Sequence, residues 1–350
     1  MSIDNKKSEF RQDIVSRDWI LVAPKRENYA QKNLERKNSE KEEKTKEEIK
    51  KEIENCPFEN PQKSGNGAAV LMFNKSGGRI AKSETETPKN WFLQIIPNKN
   101  PSLETDYAVC PKEEKTGPFS IISAVGFHEV VITRAHEKTI ATFLPEEITV
   151  LLSAYKERYL ELAKEKCLKY ILIFHNNGKD AGASVPHSHS QIMALPIIPP
   201  DIARSLNGCN LYFEKQKKCP HCETLKWEME IGERVIYKNS DFVAFCPYAS
   251  HFNFEIRVFP LKHGANFEKI TQKEIESLAD IFKQTFGKIY EKLDNPSYNF
   301  FIHTAPINYI YDYHWHIEII PRLSTWGGME LGTGIDVIVV SPEKAAAILK

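Results

Sequence analysis

Hydrophobic positions along this chain follow two periods, and each change of period marks an element. Between Glu146 and Lys166 apolar side chains recur at Ile148, Leu151, Leu152, Tyr155, Tyr159 and Leu162, the spacing of one helix face. Between Gln272 and Leu293 the same spacing appears in Ile275, Leu278, Ile281, Phe282, Phe286, Ile289 and Tyr290. Each predicted helix leads into a short apolar run, Tyr170–Phe174 or Tyr298–Ile302, that reads as a strand. Further strand-like runs are Trp19–Val22, Ala68–Phe73, Trp91–Ile96 and Glu129–Thr133, with Gly, Pro and Asn between them; Ser8–Arg11 reads as a turn. From about Leu34 to Asn55 the residues are almost all Lys, Glu, Asn, Ser and Thr. Such a stretch cannot bury enough apolar surface to fold alone and is expected to be an exposed helix or a mobile insertion.

The order strand, His, helix, strand, His-x-His occurs twice. It predicts an α+β protein of two duplicated lobes, each an antiparallel sheet with packed helices. Residues 1–195 would form the first lobe and 196–350 the second, with Leu195–Pro200 as connector. The length of 350 residues fits two domains better than one.

Composition narrows the function. The 47 basic residues balance 47 acidic ones, so no single-sign field recruits nucleic acid or an anionic membrane. There is no apolar run of about 20 residues, and the N-terminus has no signal-peptide core. Seven cysteines, an odd number with one Cys-x-x-Cys, argue for reduced thiols and metal rather than disulfides, and for a cytoplasmic location.

The cysteines and histidines keep step between the halves. Cys56, His136 and the pair His187/His189 in one are matched by Cys219-Pro220-His221-Cys222, His263 and the pair His314/His316 in the other. His136 to His187 and His263 to His314 both span 51 residues. Cys219, Cys222, His263 and His314 would close a tetrahedral structural zinc site with no position left for water. Cys56, His136 and His187 form the counterpart, where Glu59 stands in place of a second thiolate; a carboxylate can ligate zinc but is harder than sulfur, which leaves three readings of the site: weaker, differently occupied, or empty. Cys110, Cys167, Cys209 and Cys246 have no spaced partners and read as small core or surface residues.

His189 carries the candidate chemistry. In an extended segment His187 and His189 share a face, while Ser188 and Ser190 share the other. With His187 anchored by metal, a neutral His189 becomes an oriented nucleophile. Gly182-Ala183-Ser184 offers backbone N–H groups and a hydroxyl to phosphate oxygens. Gln191, on the face of His189, can donate to a phosphoryl oxygen but cannot deliver a proton. His128 reads as a buried hydrogen-bonding residue, His175 and His303 as structural, and His316 as the non-catalytic counterpart of His189.

The stretch Asn176-Asn177-Gly178 through Gly182-Ala183-Ser184-Val185-Pro186-His187-Ser188-His189-Ser190-Gln191 resembles the active-site segment of galactose-1-phosphate uridylyltransferases, members of the histidine-triad superfamily. The likeness extends to Arg11-x-Asp13, Trp19–Pro24, Arg26, Ile96–Lys99 and Met329–Gly334, and so covers nearly the whole chain. It implies histidine-triad-like lobes and a double displacement in which His189 attacks the α-phosphorus of UDP-glucose and then passes the uridylyl group to galactose 1-phosphate. It further implies that Gln191 binds the covalent intermediate, that Asn98, Asn176, Gly182 and Ser184 contact nucleotide, Arg26 phosphate and Glu330 a sugar hydroxyl. Zinc at Cys56, His136 and His187, and a homodimer, belong to the same implication.

The chain departs from that pattern at Ser188, usually proline, at Glu27-Asn28-Tyr29, where a second arginine is missing, and at Lys99, where an acidic residue is usual. The His-Ser-His-Ser-Gln form and the second Cys-x-x-Cys also resemble the ADP-glucose phosphorylase branch, which moves an adenylyl group to phosphate. Two alternatives to uridylyl transfer therefore stand: adenylyl transfer to phosphate, and a non-catalytic, zinc-stapled nucleotide sensor.

Overall fold

The computed structural model describes residues 7–27, 45–81, 87–106 and 109–350. Its strands are β1 (Glu9–Gln12), β2 (Trp19–Val22), β3 (Leu71–Phe73), β4 (Leu93–Pro97), β5 (Glu114–Thr116), β6 (Phe119–Ile121), β7 (Phe127–Thr133), β8 (Tyr170–Asn177), β9 (His189–Leu195), β10 (Val235–Lys238), β11 (Phe242–Phe245), β12 (Ile256–Pro260), β13 (Tyr298–His303), β14 (His316–Pro321) and β15 (Asp336–Ile338). The helices are α1 (Lys46–Asn55), α2 (Pro145–Leu162), α3 (Pro200–Gln216), α4 (Pro220–Ile231), α5 (Gln272–Lys292), α6 (Gly328–Thr333) and α7 (Pro342–Leu349).

Both periodic segments are helical, and their ends follow from local chemistry. Thr271 accepts from the Glu274 N–H while Glu274 reaches back to the Thr271 N–H, a capping box that starts α5. Pro145 opens α2, where its missing N–H costs no hydrogen bond. The apolar faces of α2 and α5 pack on each other and on one face of the sheet. There Tyr155, Tyr159, Phe282 and Phe286 share a core with Ile171, Ile173, Phe300 and Ile302. Each of the Ile and Phe side chains among them contributes about 1.5–3 kcal/mol of transfer free energy.

The fold is α+β, as expected, but the two predicted sheets are one. Ten antiparallel strands run in the order β10-β11-β12-β14-β13-β8-β9-β7-β4-β3. The order within each half is mirrored across the β13–β8 seam, where Phe301 lies opposite Phe174 and Asn299 opposite Asn176. The seam forms because β8 and β13 are each half's innermost strand and would otherwise present a bare edge. The connector does run from the end of β9 to the start of α3.

Ser8–Arg11 is not simply a turn: Glu9–Gln12 pairs with Trp19–Val22, and β15 adds in parallel to β2. In the charged segment, Thr45 and Glu48 cap α1, which has no buried residue; residues 34–44 of that segment lie outside the described residues.

The cysteine reading needs one correction. Cys110 and Cys167 are joined in a disulfide across 57 residues. Sequence spacing hid the pair because topology makes it. The excursion carrying Cys110 returns at Phe127, and Cys167 precedes Tyr170; these residues flank the end of β9, opposite Ala194 and Leu195 respectively. Cys209 and Cys246 are free and buried, as expected.

Candidate active site and metal clusters

Strand alternation sets the site. On β9, Ser190, Ile192 and Ala194 face the helices and are buried. His189 and Gln191 face the opposite side, where Tyr170 and Leu172 of β8 pack against Ile202 and Leu206 of α3. Gln191 lies between Val130 of β7 and Phe174 of β8. Ser190 is held from below, its hydroxyl bonded to the Tyr155 hydroxyl and, at 2.8 Å, to His175 Nδ1.

His189 is 6 % exposed, and its ring meets Phe58 edge-on at 5.1 Å. Its Nδ1–H donates to the His187 carbonyl at 2.8 Å. That bond fixes the tautomer and leaves the Nε2 lone pair outside it. Burial pulls the imidazole below its ordinary pKa, partly opposed by the same carbonyl, so the neutral, nucleophilic form prevails near pH 7.

His187, fully buried, belongs to a cluster with Cys56, Glu59 and His136 whose ligand atoms all lie within 4.8 Å of one another. His187 Nδ1 is 3.5 Å from Cys56 Sγ and 3.4 Å from Glu59 Oε1, and His136 Nδ1 is 2.9 Å from the same carboxylate oxygen. The outward Nε2–H of His187 donates to Thr133 O at 2.6 Å. The Glu59 carboxylate thus sits among the other three ligand atoms, where the second half has a second thiolate. In the second cluster Cys219, Cys222, His263 and His314 converge in the same way. Cys222 Sγ is 3.2 Å from His263 Nδ1 and 3.6 Å from His314 Nδ1. His314 Nε2 donates to Pro260 O at 3.0 Å and His263 Nε2 to Asp312 at 2.6 Å, the outer contacts that orient ligating imidazoles. Two sulfurs and two imidazoles suit a closed tetrahedral site; one sulfur, two imidazoles and a carboxylate suit a harder one.

Gln191 has a partner that its motif does not reveal. Ser102 N–H donates to His128 Nδ1 at 3.2 Å, which puts the His128 proton on Nε2. Nε2–H then donates to Gln191 Oε1 at 2.7 Å. With its oxygen engaged, the amide of Gln191 keeps its N–H groups for an acceptor. Asn98 Nδ2 lies 3.1 Å from the same His128 nitrogen but faces it as a second donor, since Asn98 Oδ1 is taken by Asn100 N–H; its N–H groups too remain for an acceptor. Reading His128 as a buried hydrogen bonder is consistent with this; its hold on Gln191 was not foreseeable, since the pair is 63 residues apart.

Asn176 lies at the seam, its side-chain oxygen accepting from Asn299 at 2.8 Å. Gly182 takes the left-handed conformation, φ +82°, that ends the turn Lys179–Ala181 and aims the chain through Ser184 toward His187. Gly178 also has positive φ, and a Cβ there would come within 2.3 Å of Ser297 Oγ.

Arg26 and Glu330 are not brought to His189. Arg26 ends a turn whose neighbours belong to the second half, where Ala23 N–H bonds to Ile338 O and Glu27 pairs with Lys344. Glu330 caps Gly327 N–H at 2.8 Å and lines a cavity that holds His316. His175 and His303, matched by sequence, face opposite sides. His175 stacks on Phe300 beneath the sheet, while His303 stacks on His316 in that cavity.

The N-terminal-domain model of galactose-1-phosphate uridyl transferase matches residues 1–199, and a domain of unknown function matches 123–349. An ADP-glucose phosphorylase of Arabidopsis thaliana is 31 % identical over 100 % of this chain and 94 % of its own length. A galactose-1-phosphate uridylyltransferase of Thermotoga maritima is 31 % identical over 76 % of this chain and 86 % of its own. The crystal structure of an Arabidopsis thaliana ADP-glucose phosphorylase with bound ADP-glucose superposes with a TM-score of 0.75 at 29 % identity, covering 98 % of each chain. The chain belongs to the galactose-1-phosphate uridylyltransferase family and is a nucleotidyltransferase of that family.

Proposed function

We propose that His189 carries a nucleotidyl group between two phosphate acceptors. His189 Nε2 attacks the α-phosphorus of a nucleoside diphosphate hexose. The N–P bond forms as the bond to the bridging oxygen breaks, and hexose 1-phosphate leaves. The ring, now positive, keeps its Nδ1–H on the His187 carbonyl, and Gln191 donates to a non-bridging oxygen. A phosphate oxygen of the acceptor then attacks phosphorus and releases the imidazole. The observation that carries this reading is a buried imidazole with Nδ1 committed to a backbone carbonyl, beside an amide turned N–H outward. A nucleotide sensor would need neither.

The sequence motifs lead with UDP-glucose and galactose 1-phosphate. The end-to-end likeness to ADP-glucose phosphorylase moves adenylyl transfer from ADP-glucose to phosphate ahead of it. Asn98, Asn176, Gly182 and Ser184 are proposed nucleotide contacts. Arg26 and Glu330 lie toward the second half, so as phosphate and sugar contacts they would come from a second copy; we propose a homodimer. Both clusters are proposed zinc sites, which when filled would hold the His187 loop and α4 in place. The substrates favour the cytoplasm; among the described residues no helix is long and apolar enough to cross a membrane.

Labelled UDP-glucose and ADP-glucose, each incubated with the protein, test the reading. One of them should leave an acid-labile, alkali-stable label that His189→Ala abolishes without loss of zinc. Nucleotide binding with no adduct from either sugar nucleotide would leave the sensor standing. Turnover with galactose 1-phosphate against turnover with inorganic phosphate decides between the two transfers.

A further inference from the structure

The side of the His189 segment turned toward α2 is polar where the fold does not ask for polarity. Tyr155 of α2, His175 of β8, and Ser188 and Ser190 on either side of His189 are all buried there. The second half supplies an internal comparison. Stepping across at the interval that separates His187 from His314 turns these residues into Phe282, Ile302, Trp315 and Ile317, which are buried as well. The register corresponds too. His175 lies opposite Ser190 across β8 and β9, and Ile302 opposite Ile317 across β13 and β14. Behind His316, whose neighbour two residues on is Glu318 in place of Gln191, the same packing is thus hydrophobic throughout. Buried hydrogen-bonded pairs gain little over apolar groups of similar shape, so packing alone gives no reason for the polar set.

The polar groups form a hydrogen-bond chain with a fixed sense. Tyr155 O–H, fully buried, has Ser190 as its one partner among the described residues and donates to it. Ser190 O–H is then left to donate to His175 Nδ1 at 2.8 Å. That puts the ring proton on Nε2, which lies 3.5 Å from Ser188 Oγ and points its proton there. Burial, with His189 close by, pulls His175 down to about 3, so the ring stays neutral near pH 7. The second half clamps this ring. It stacks on Phe300 at 5.2 Å and 7°, and on Tyr298 at 5.7 Å and 14°.

We propose that His175 is a positioning residue of the transfer: through Ser188 and Ser190 it holds the backbone on both sides of His189 and sets the line along which Nε2 meets phosphorus. The bond from His189 Nδ1 to the His187 carbonyl fixes how the ring is turned. The tether behind it fixes where the ring stands. Through Phe300 and Tyr298 the second half therefore serves a reaction that it does not perform. The inference rests on His189 being the nucleophile.

Rapid-quench labelling of the full-length protein tests it, with whichever of labelled UDP-glucose and ADP-glucose marks the wild type. His175→Phe keeps a ring on Phe300 but removes both nitrogens. It should slow adduct formation by on the order of tenfold to a hundredfold, because a small misalignment is enough to do so. The half-saturating concentration of sugar nucleotide should stay within about twofold of wild type, and the pH profile should not move. Ser188→Ala with Ser190→Ala, a milder change to the core, should reproduce the loss. Adding both to His175→Phe should cost no more than about twofold further, since all act through one tether. Adduct formation at the wild-type rate in His175→Phe, losses that multiply in the combined variant, or a slower rate matched by a fall in zinc content or melting temperature would each overturn the inference. A wild type that takes up no label from either sugar nucleotide would overturn the His189 reading, and this one with it.

Discussion

The carbonyl of His187 links the metal cluster to the chemistry. The imidazole of that residue is tied to Cys56 and Glu59, while its backbone oxygen orients His189 two positions on. The residue types of this arrangement were legible, because alternation in a strand places His187 and His189 on one face. The carbonyls of His187, Thr133 and Pro260 were not, since every residue has one. His128 was read correctly as buried and polar, but its hold on Gln191 needs the register of β7 against β9. Replacing it therefore gives a specific expectation. His128→Phe should lower kcat by on the order of tenfold to a hundredfold with little change in KM, because a freed amide loses its aim, not its chemistry. His128→Gln, which can still donate to Gln191 Oε1, should recover part of that loss. An equal fall in metal content or melting temperature would instead mark His128 as structural.

Among elements, the helices were the most legible, because α2 and α5 each repeat apolar residues over several turns. The short strands β10, β11 and β12 escaped notice, since their burial comes from neighbours far away in sequence. So did α3 and α4, whose apolar residues are fewer. The segment between β11 and β12 is fastened to β15 by His251 and Asp336, 2.7 Å apart. Burial disfavours the charged imidazole, but the Asp336 carboxylate overrides it, with help from Glu255, and raises His251 to about 9. A raised value means stabilisation that is complete below the unfolded value near pH 6.5 and lost as pH climbs through about 9. Wild-type protein should therefore lose melting temperature across that window more steeply than Asp336→Asn; parallel curves would refute the pair's contribution. On α4, Cys222→Ser should cost one equivalent of bound metal and lower the melting temperature. Label uptake per folded molecule should hold, and its selective loss would tie the second cluster to catalysis.

At the scale of the whole molecule, duplication was legible in the equal spacing of the histidines, but the union of the halves was not. No residue pattern distinguishes a strand that edges a sheet from one that pairs across a seam. The disulfide was misread for the same reason, as its cysteines meet only after the sheet has formed. Closing a loop across 57 residues, the Cys110–Cys167 bond should stabilise the fold by about 2–4 kcal/mol. Cys110→Ser should show that deficit in urea unfolding under oxidising conditions, and the difference should vanish in reductant.

The seam between β8 and β13 also governs what can be cut. A break in the four residues Pro196–Pro199 severs the polypeptide but none of the cross-strand bonds that join Asn176 to Asn299 and Phe174 to Phe301. The nicked enzyme should stay assembled and active. Made singly, each fragment would offer a bare inner strand to any copy of itself and precipitate or self-pair; made together, the two should knit into one working particle.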